Sequence, residues 1–588
     1  MQEDKKQEMD LVVLGKVLKL SKPYTSIFVF CLVLAVIMAV VSNIGPFLIG
    51  TMVDDNIVQK QDMDGLKKMA LIYIAVVFIN VIVRYLFIYY SQVLGQSVIK
   101  DLRVRVFKHV QSLKLRYFDQ TPIGRIITRT ISDVQAINEV FTQGVLTMFA
   151  DVLGIFAILG FMFFHSWRLT LVCLATLPLM IIATYIFKEK VKASFQRVRN
   201  EISSMNSFLQ EQISGMQVVQ MFNAERQEAK KFKAINKRYT AANLNAIEYY
   251  AIFYPVVELI SAVGLSLLIW WGSKGIWNGT ISAGAFIAFP LYLNKLFRPV
   301  RMLADKFNTL QMGLVAADRV FKLIENEDHI LDLGTVELKN TLGKVEFDNV
   351  SFAYDEKNFV LNDISFQIKA GDTLAIVGST GSGKSSIINT LNRFYEIQKG
   401  KILVDDIDVK KIKLNSLRSK VAMVLQDVFL FNGSVLNNIT LRDPSISREE
   451  VISASKIIGA HPFIESMPGG YDFKVTERGS NLSMGQRQLI SFVRALVVNP
   501  NILILDEATS SIDTETETII QYAIEKLIEK RTSIIIAHRL STIRHANKIL
   551  VLDKGRIVEI GSHDDLISNP TGQYRKLYEK QFEQTATV

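Results

Sequence analysis

Residues 23–53 contain no charged side chain, and that one run limits what the whole chain can fold into. It is longer than the ~20 apolar residues that cross a bilayer as a helix. It is also much longer than the apolar core of a secretory signal and has no small-residue cleavage site after it, so no cleavable signal is evident. Six segments have this character, at roughly 25–48, 69–90, 143–165, 168–188, 250–272 and 278–298. Just before the first, "DLVVLGKVLKLSKPY" puts Leu11, Leu14 and Leu18 on one helical face, with Lys16 and Lys19 elsewhere. That pattern suits a helix lying in the membrane interface. Cys31 and Cys173 both sit inside apolar runs, so no disulfide framework is expected.

The loops decide orientation. "GTMVDDNIVQKQDMDGL" holds four Asp and one Lys, and "HSW" and "GSKGIWNGT" are short and nearly uncharged. Segment 91–142 carries eight Lys or Arg, and 188–248 carries eleven. The positive-inside rule then puts both termini and the two long loops in the cytoplasm of a multi-pass protein of the cytoplasmic (inner) membrane. This placement accounts for much of the net charge of +10, so a nucleic-acid partner is not expected. The two long loops are helix-patterned, so they extend the membrane helices into the cytosol as rods. The first rod is expected to break at Thr121, Pro122 and Gly124, and the second near Ser214 and Gly215. These tips are candidates to dock on a soluble domain.

Charges at Arg84, Asp151 and Glu258 interrupt three of the spans. A charge at mid-bilayer costs ~2.5–3.5 kcal/mol on insertion scales, so such groups face a cavity or one another. All three fall in the inner half of their spans. They are candidates for a substrate path, with a structural pairing of arginine and carboxylate as the alternative.

After a polar linker the pattern changes to that of a soluble α/β protein. "GKVEFDNVSFAY" alternates like a strand. "TLAIVGSTGSGKSSIINTL" reads as buried strand, glycine loop and helix, and it matches G-x-x-x-x-G-K-[ST] at every position. Gly378, Ser379, Thr380, Gly381, Ser382, Gly383, Lys384, Ser385 and Ser386 are therefore candidate ATP-binding residues. The loop backbone would wrap the β-phosphate, Lys384 would reach the β- and γ-phosphates, and Ser385 would ligate Mg²⁺. In "NILILDEATSSID" a buried strand ends at Asp506, a candidate Mg²⁺ ligand, and Glu507 follows as candidate general base. "TSIIIAHRL" is another buried strand, and His538 leaves its C-terminal end, where ligands of open α/β sheets collect. A second small-residue turn opens a helix at "GSNLSMGQRQ", another ready anion site.

These motifs carry a resemblance. Residues 340–580 resemble the nucleotide-binding domain of ATP-binding cassette (ABC) proteins. The resemblance implies that Tyr354 in "SFAYDE" stacks on adenine and that Gln426 in "VLQDVFLF" meets Mg²⁺ and the attacking water. It also identifies Leu482, Ser483, Gly485 and Gln486 as the signature helix start, "TERG" as the exporter motif before it, and "SSID" as the D-loop. "YFDQTPIGRIITR" and "FNTLQMGLVAADRVFKLI" extend the likeness over nearly the whole chain.

Six spans fused ahead of one such domain are similar to bacterial exporter half-transporters of the lipid-flippase or multidrug type. The expected division is a membrane domain over 1–325, a linker over 326–340 and the nucleotide-binding domain over 341–588. In this family two domains meet head to tail, and each ATP lies between one chain's 378–385 loop and the other chain's Ser483, Gly485 and Gln486. The expected partner is a second copy, or a related half-transporter. Met484 stands where the family usually has Gly, which leaves the unlike partner open. The implied activity is ATP-driven export or flipping of a lipid-like or amphiphilic substrate, with peptide export as the alternative.

Overall fold

The computed structural model describes residues 11–330, 332–355, 358–506, 514–536 and 543–582. The chain divides into two compact units. One is Met1–Gln111 with Pro122–Asn326; the other is Ser112–Thr121 with Glu327–Val588.

The first unit is helical throughout. Among the described residues, five helical segments are long and apolar enough to cross a membrane: Lys22–Gln59, Met63–Ser112, Ile123–His165, Trp167–Ser214 and Glu225–Trp277. The sixth expected span falls mainly in the helix Ala283–Ile324, which is not one of those five. Asn294, Lys295 and Arg298 dilute its apolar stretch.

One face of this helix lies in the unit's core, while Ile287, Leu291 and Arg298 are exposed. Its Phe289, Tyr292, Leu296 and Phe297 pack with Met162, Cys173, Met180, Val257 and Leu268 of three other helices. A core helix can carry charge if its partners are internal. The Lys295 ammonium donates to the Ser42 carbonyl, the Lys306 ammonium to the Asp151 carboxylate, and Arg319 lies 2.9 Å from Asp133.

The long rods are present. Met63–Ser112 and Glu225–Trp277 run 50 and 53 residues. At 1.5 Å per residue each is ~75–80 Å long, far more than a bilayer needs. The second rod breaks where expected, with Trp167–Ser214 ending on Gly215 before the short helix Met216–Met221. The amphipathic helix Leu11–Lys19 buries Val13 and Val17, and Lys16 reaches Glu325 at 2.6 Å. Cys31 and Cys173 are free and buried.

Among its described residues the second unit has two large sheets and a two-stranded one, Gly433–Ser434 with Lys474–Val475. A six-stranded sheet has the order Arg556–Gly561, Lys548–Asp553, Thr373–Gly378, Thr532–Ile536, Ile502–Asp506, Val421–Val424. All its pairings are parallel except that of the Arg556–Gly561 edge strand. Successive side chains of a strand point to opposite faces, and here both faces are buried, as a parallel sheet requires. Leu374, Ile376, Ile502, Ile504, Ile534 and Ile536 pack toward the second, four-stranded antiparallel sheet. Ala375, Val377, Leu503, Leu505 and Ile535 pack under helices, including Met484–Val497. This burial on both faces fixes register, because a one-residue slip would exchange the two cores.

Residues 112–121, at the end of the first rod, belong to this second unit. The rod helix stops at Ser112, and a short helix Leu115–Gln120 follows. It ends at the extended Thr121 before Pro122, as the sequence predicts, whereas Gly124 lies inside the next helix, Ile123–Thr128. The Lys114 amide donates to Asp328 O at 3.0 Å, and its ammonium lies 2.8 Å from the Asp328 carboxylate.

Candidate active site

The parallel strands bring the site residues to one edge. Ile536 pairs with Ile376 on one side and with Asp506 on the other, and Val424 pairs with Leu505. The C-terminal ends of four strands therefore line up. Gly378 ends one of them and opens the glycine loop, Asp506 ends another, and Gln426 stands two residues beyond Val424. Neighbouring strands lie ~4.8 Å apart, so Gln426 and Asp506 leave adjacent strands side by side.

The loop needs its glycines. Gly383 has φ +106°, and a Cβ there would meet Leu361 Cδ2 at 2.9 Å. A Cβ on Gly378 would meet the Leu552 carbonyl oxygen at 2.2 Å. Chain with no Cβ is the only kind that fits. The loop ends in the helix Lys384–Leu391, whose free N-terminal amides and dipole face the loop's hollow.

Lys384 is buried, and its ammonium donates to the carbonyls of Gly378 at 2.8 Å and Ser379 at 3.0 Å. Ser382 is 2% exposed, and its hydroxyl is a buried polar atom with no hydrogen-bond partner. A buried polar group in this condition costs free energy until a ligand satisfies it. Ser379, Thr380 and Ser385 are exposed at the rim. The loop thus presents amides, a cation and an unmet hydroxyl to one anion. Ser385, Gln426 and Asp506 are neutral and anionic oxygen donors, the set that suits Mg²⁺.

Tyr354 is held on three sides. Its hydroxyl is 3.1 Å from Ser386 Oγ and accepts from Asn389 Nδ2 at 3.3 Å. Its ring meets Phe352 edge to face at 4.7 Å and Tyr395 at 4.9 Å.

The signature segment has its own geometry. Ser483 is the N-cap of Met484–Val497. Its hydroxyl accepts from the Gln486 amide at 3.2 Å, and the Gln486 side chain accepts from the Ser483 amide at 2.9 Å. This reciprocal capping box satisfies two of the helix's orphan donors. The Ser483 hydroxyl keeps its own proton to donate elsewhere. The same helix holds the segment after Gln426, since Arg494 donates to the Phe429 and Asn438 carbonyls at 3.3 and 2.8 Å. Ser483, Gly485 and Gln486 are not at the glycine loop of their own chain. Their helix leans on the Val421–Val424 strand, three places from the loop's strand.

Glu507, His538 and the "SSID" segment lie outside the described residues. In the membrane unit, Asp151 pairs with Lys306, not with an arginine, and Arg84 and Glu258 are exposed. Sequence reading passed over Lys295 and Lys306. Lys295 was visible as a charge inside the sixth apolar window.

A family model described as "ABC transporter transmembrane region" matches residues 28–300, and one described as "ABC transporter" matches residues 361–510. A Bacillus subtilis relative, the uncharacterized ABC transporter ATP-binding protein YknV, is 40% identical over 96% of this chain and 94% of its own length. The chain belongs to the ABC transporter family. Other members it resembles are the probable multidrug resistance ABC transporter ATP-binding/permease protein YheH of B. subtilis and an ATP-dependent lipid A-core flippase of Syntrophus aciditrophicus. The first is 38% identical over 88% of this chain and 77% of its own length; the second is 35% identical over 98% and 96%. With its membrane region fused to one ATPase domain, this ABC protein is an exporter half-transporter. It binds nucleotide, hydrolyses ATP in a reaction coupled to transport, and works as a dimer in a membrane.

Proposed function

We propose that this ABC half-transporter pairs with a second copy of itself in the cytoplasmic membrane and exports or flips a lipid-like, amphiphilic substrate by alternating access. Both termini then lie in the cytoplasm. The observation that carries this reading is the split of phosphate chemistry between two places in one chain. The glycine loop and the capped helix at Ser483 each present donors to an anion, but the loop follows the Thr373–Gly378 strand and the helix leans on the Val421–Val424 strand, three places away. A symmetric dimer completes both sites at once, because each surface meets the other's complement.

In that dimer Lys384 exchanges the Gly378 and Ser379 carbonyls for β- and γ-phosphate oxygens. Ser382 gains the partner it lacks. The Ser483 hydroxyl, already accepting from Gln486, donates to the γ-phosphate across the interface, and the Gly485 amide adds a second donor. Ser385, Gln426 and Asp506 would hold Mg²⁺, which supplies charge neutralisation at the phosphates. Gln426 orients the attacking water, Glu507 takes its proton, and His538 contacts the γ-phosphate. Closure of the two soluble domains is favoured only by ATP's preference for the closed state. The cytoplasmic rods carry that closure to the membrane helices.

The amphiphilic class rests on the relatives named as a multidrug resistance transporter and a lipid A-core flippase, and on a membrane unit rich in exposed aromatics, among them Tyr85, Tyr89 and Tyr254. Arg84 and Glu258 are the charges left to meet cargo, since Asp151 is paired. Met484 favours one second reading, an unlike half-transporter as mate. The test is ATPase activity in nanodiscs across lipids, amphiphilic drugs and peptides. Stimulation by peptides alone would overturn the substrate class.

The capping box gives a sharper prediction. Glu is as good as Gln at this position of the box, so Gln486→Glu should leave the thermal midpoint within ~1 °C of the parent. It also puts a carboxylate against the partner's γ-phosphate, so ATPase turnover should fall at least tenfold. Turnover equal to the parent's would remove Gln486 from the phosphate site.

A further inference from the structure

Tyr395 joins two parts of the second unit that the catalytic reading leaves separate. Its ring packs against Tyr354 with centroids 4.9 Å apart and planes at 86°, and its centroid lies 5.8 Å from that of Phe352. Its hydroxyl donates to the carboxylate of Asp119, on the short helix Leu115–Gln120. We propose that Tyr395 is a positioning residue that ties the ring receiving the nucleotide base, Tyr354, to the cytoplasmic helix carrying Asp119. The proposal rests on the base-stacking role given to Tyr354 above.

The connection is continuous. Asp119 accepts from Tyr395, Tyr395 braces Tyr354, and the Tyr354 hydroxyl meets Ser386 and Asn389 on the helix that opens at the glycine loop. Each link is directional. An edge-to-face pair holds its partner's plane, and a hydrogen bond to a carboxylate is about twice as strong as a neutral one. Burial, and then the bond to Asp119, push the Tyr395 hydroxyl above its ordinary range, so the proton stays on the donor at physiological pH. A base that settles on the face of Tyr354 therefore limits the tilt of that ring, and with it the tilt of Tyr395 and the place of Asp119. Residues 112–121 lie in the chain between two stretches of the membrane unit. They are the segment whose position a transporter would read.

This differs from closure across the dimer. The phosphates report through the glycine loop and the opposite chain's Ser483. The base reports through Tyr354 and Tyr395 within one chain. A triphosphate without a base should engage the first route and not the second.

The test uses the full chain in nanodiscs in a Glu507→Gln background, so that ATP persists. Hydrogen exchange is followed over residues 115–120 and over the glycine loop. ATP should slow exchange in both places in this parent. Inorganic triphosphate should protect the loop alone. Tyr395→Phe keeps the ring and removes the donor, and Asp119→Asn removes the charged acceptor. Either should abolish at least two-thirds of the ATP-induced protection at 115–120 while protection of the loop persists. Tyr395→Leu removes the brace, so ATP affinity should fall about fivefold with triphosphate affinity unchanged. If Tyr354→Leu weakens ATP no more than triphosphate, the stacking reading itself fails. If Tyr354→Leu does weaken ATP selectively but Tyr395→Phe and Asp119→Asn protect 115–120 as the parent does, Tyr395 has no positioning role and the stacking reading stands.

Discussion

Glu507→Gln should bind ATP with the parent's affinity and hydrolyse it about a thousandfold more slowly. A positioned general base contributes ~10²–10⁴ in rate, and a thousandfold loss corresponds to ~4 kcal/mol of barrier. Nothing that holds the nucleotide changes. Lys384, the loop amides, Ser385 and Asp506 are all intact, and the amide of Gln still accepts and donates hydrogen bonds at the same place. What is lost is the proton acceptor for water. The ATP-bound dimer then persists, since closure is released only when the γ-phosphate leaves. Phosphate release should therefore drop while ATP stays with the protein through gel filtration at twice the chain mass. Turnover within threefold of the parent would remove Glu507 from the role of base.

Much of the soluble unit was legible because its signals are local. Ile502, Ile504, Leu503 and Leu505 alternate between two cores, so four apolar letters in a row already mean a strand buried on both faces. The glycine loop was legible for the same reason. Gly378 and Gly383 stand where a Cβ would strike backbone or a packed Leu, and no other residue type satisfies that geometry.

What escaped the sequence are contacts made across long separations. Asp151 finds Lys306 155 residues away, on a helix that reads as less apolar because Asn294, Lys295 and Arg298 interrupt it. Tyr395 finds Asp119 276 residues back along the chain, in a segment assigned by order to the membrane half. No periodicity reports such a meeting. The capping box is an intermediate case. Its S-x-x-Q pattern was in plain view, but phosphate chemistry claimed both residues first. The structure shows that Ser483 and Gln486 hold each other at the start of the helix, so the cap itself fixes the geometry of this turn.

The arrangement of those two surfaces leads to an all-or-none result. With Cys31 and Cys173 replaced by Ser, cysteines at Ser379 and Ser483 of one chain should join only to another chain. Within one chain, Ser379 follows the Thr373–Gly378 strand, and Ser483 caps a helix lying against the Val421–Val424 strand. Two strands intervene, so at ~4.8 Å per step the strand ends alone stand ~14 Å apart. A disulfide needs Cα atoms within ~7 Å. Across a head-to-tail dimer the same two positions face each other over one ATP. Mild oxidation in the Glu507→Gln background should therefore convert most of the protein to a band at twice the chain mass, and ATP should promote it. Lys384→Ala should weaken the band, because it removes the cation that holds the γ-phosphate. Each single-cysteine chain should stay at the monomer mass. A bond confined to one chain would overturn the shared site. A protein that hydrolyses ATP before oxidation yet forms no ATP-promoted bond would point to an unlike mate, one whose own signature helix faces this loop and whose own loop faces Met484.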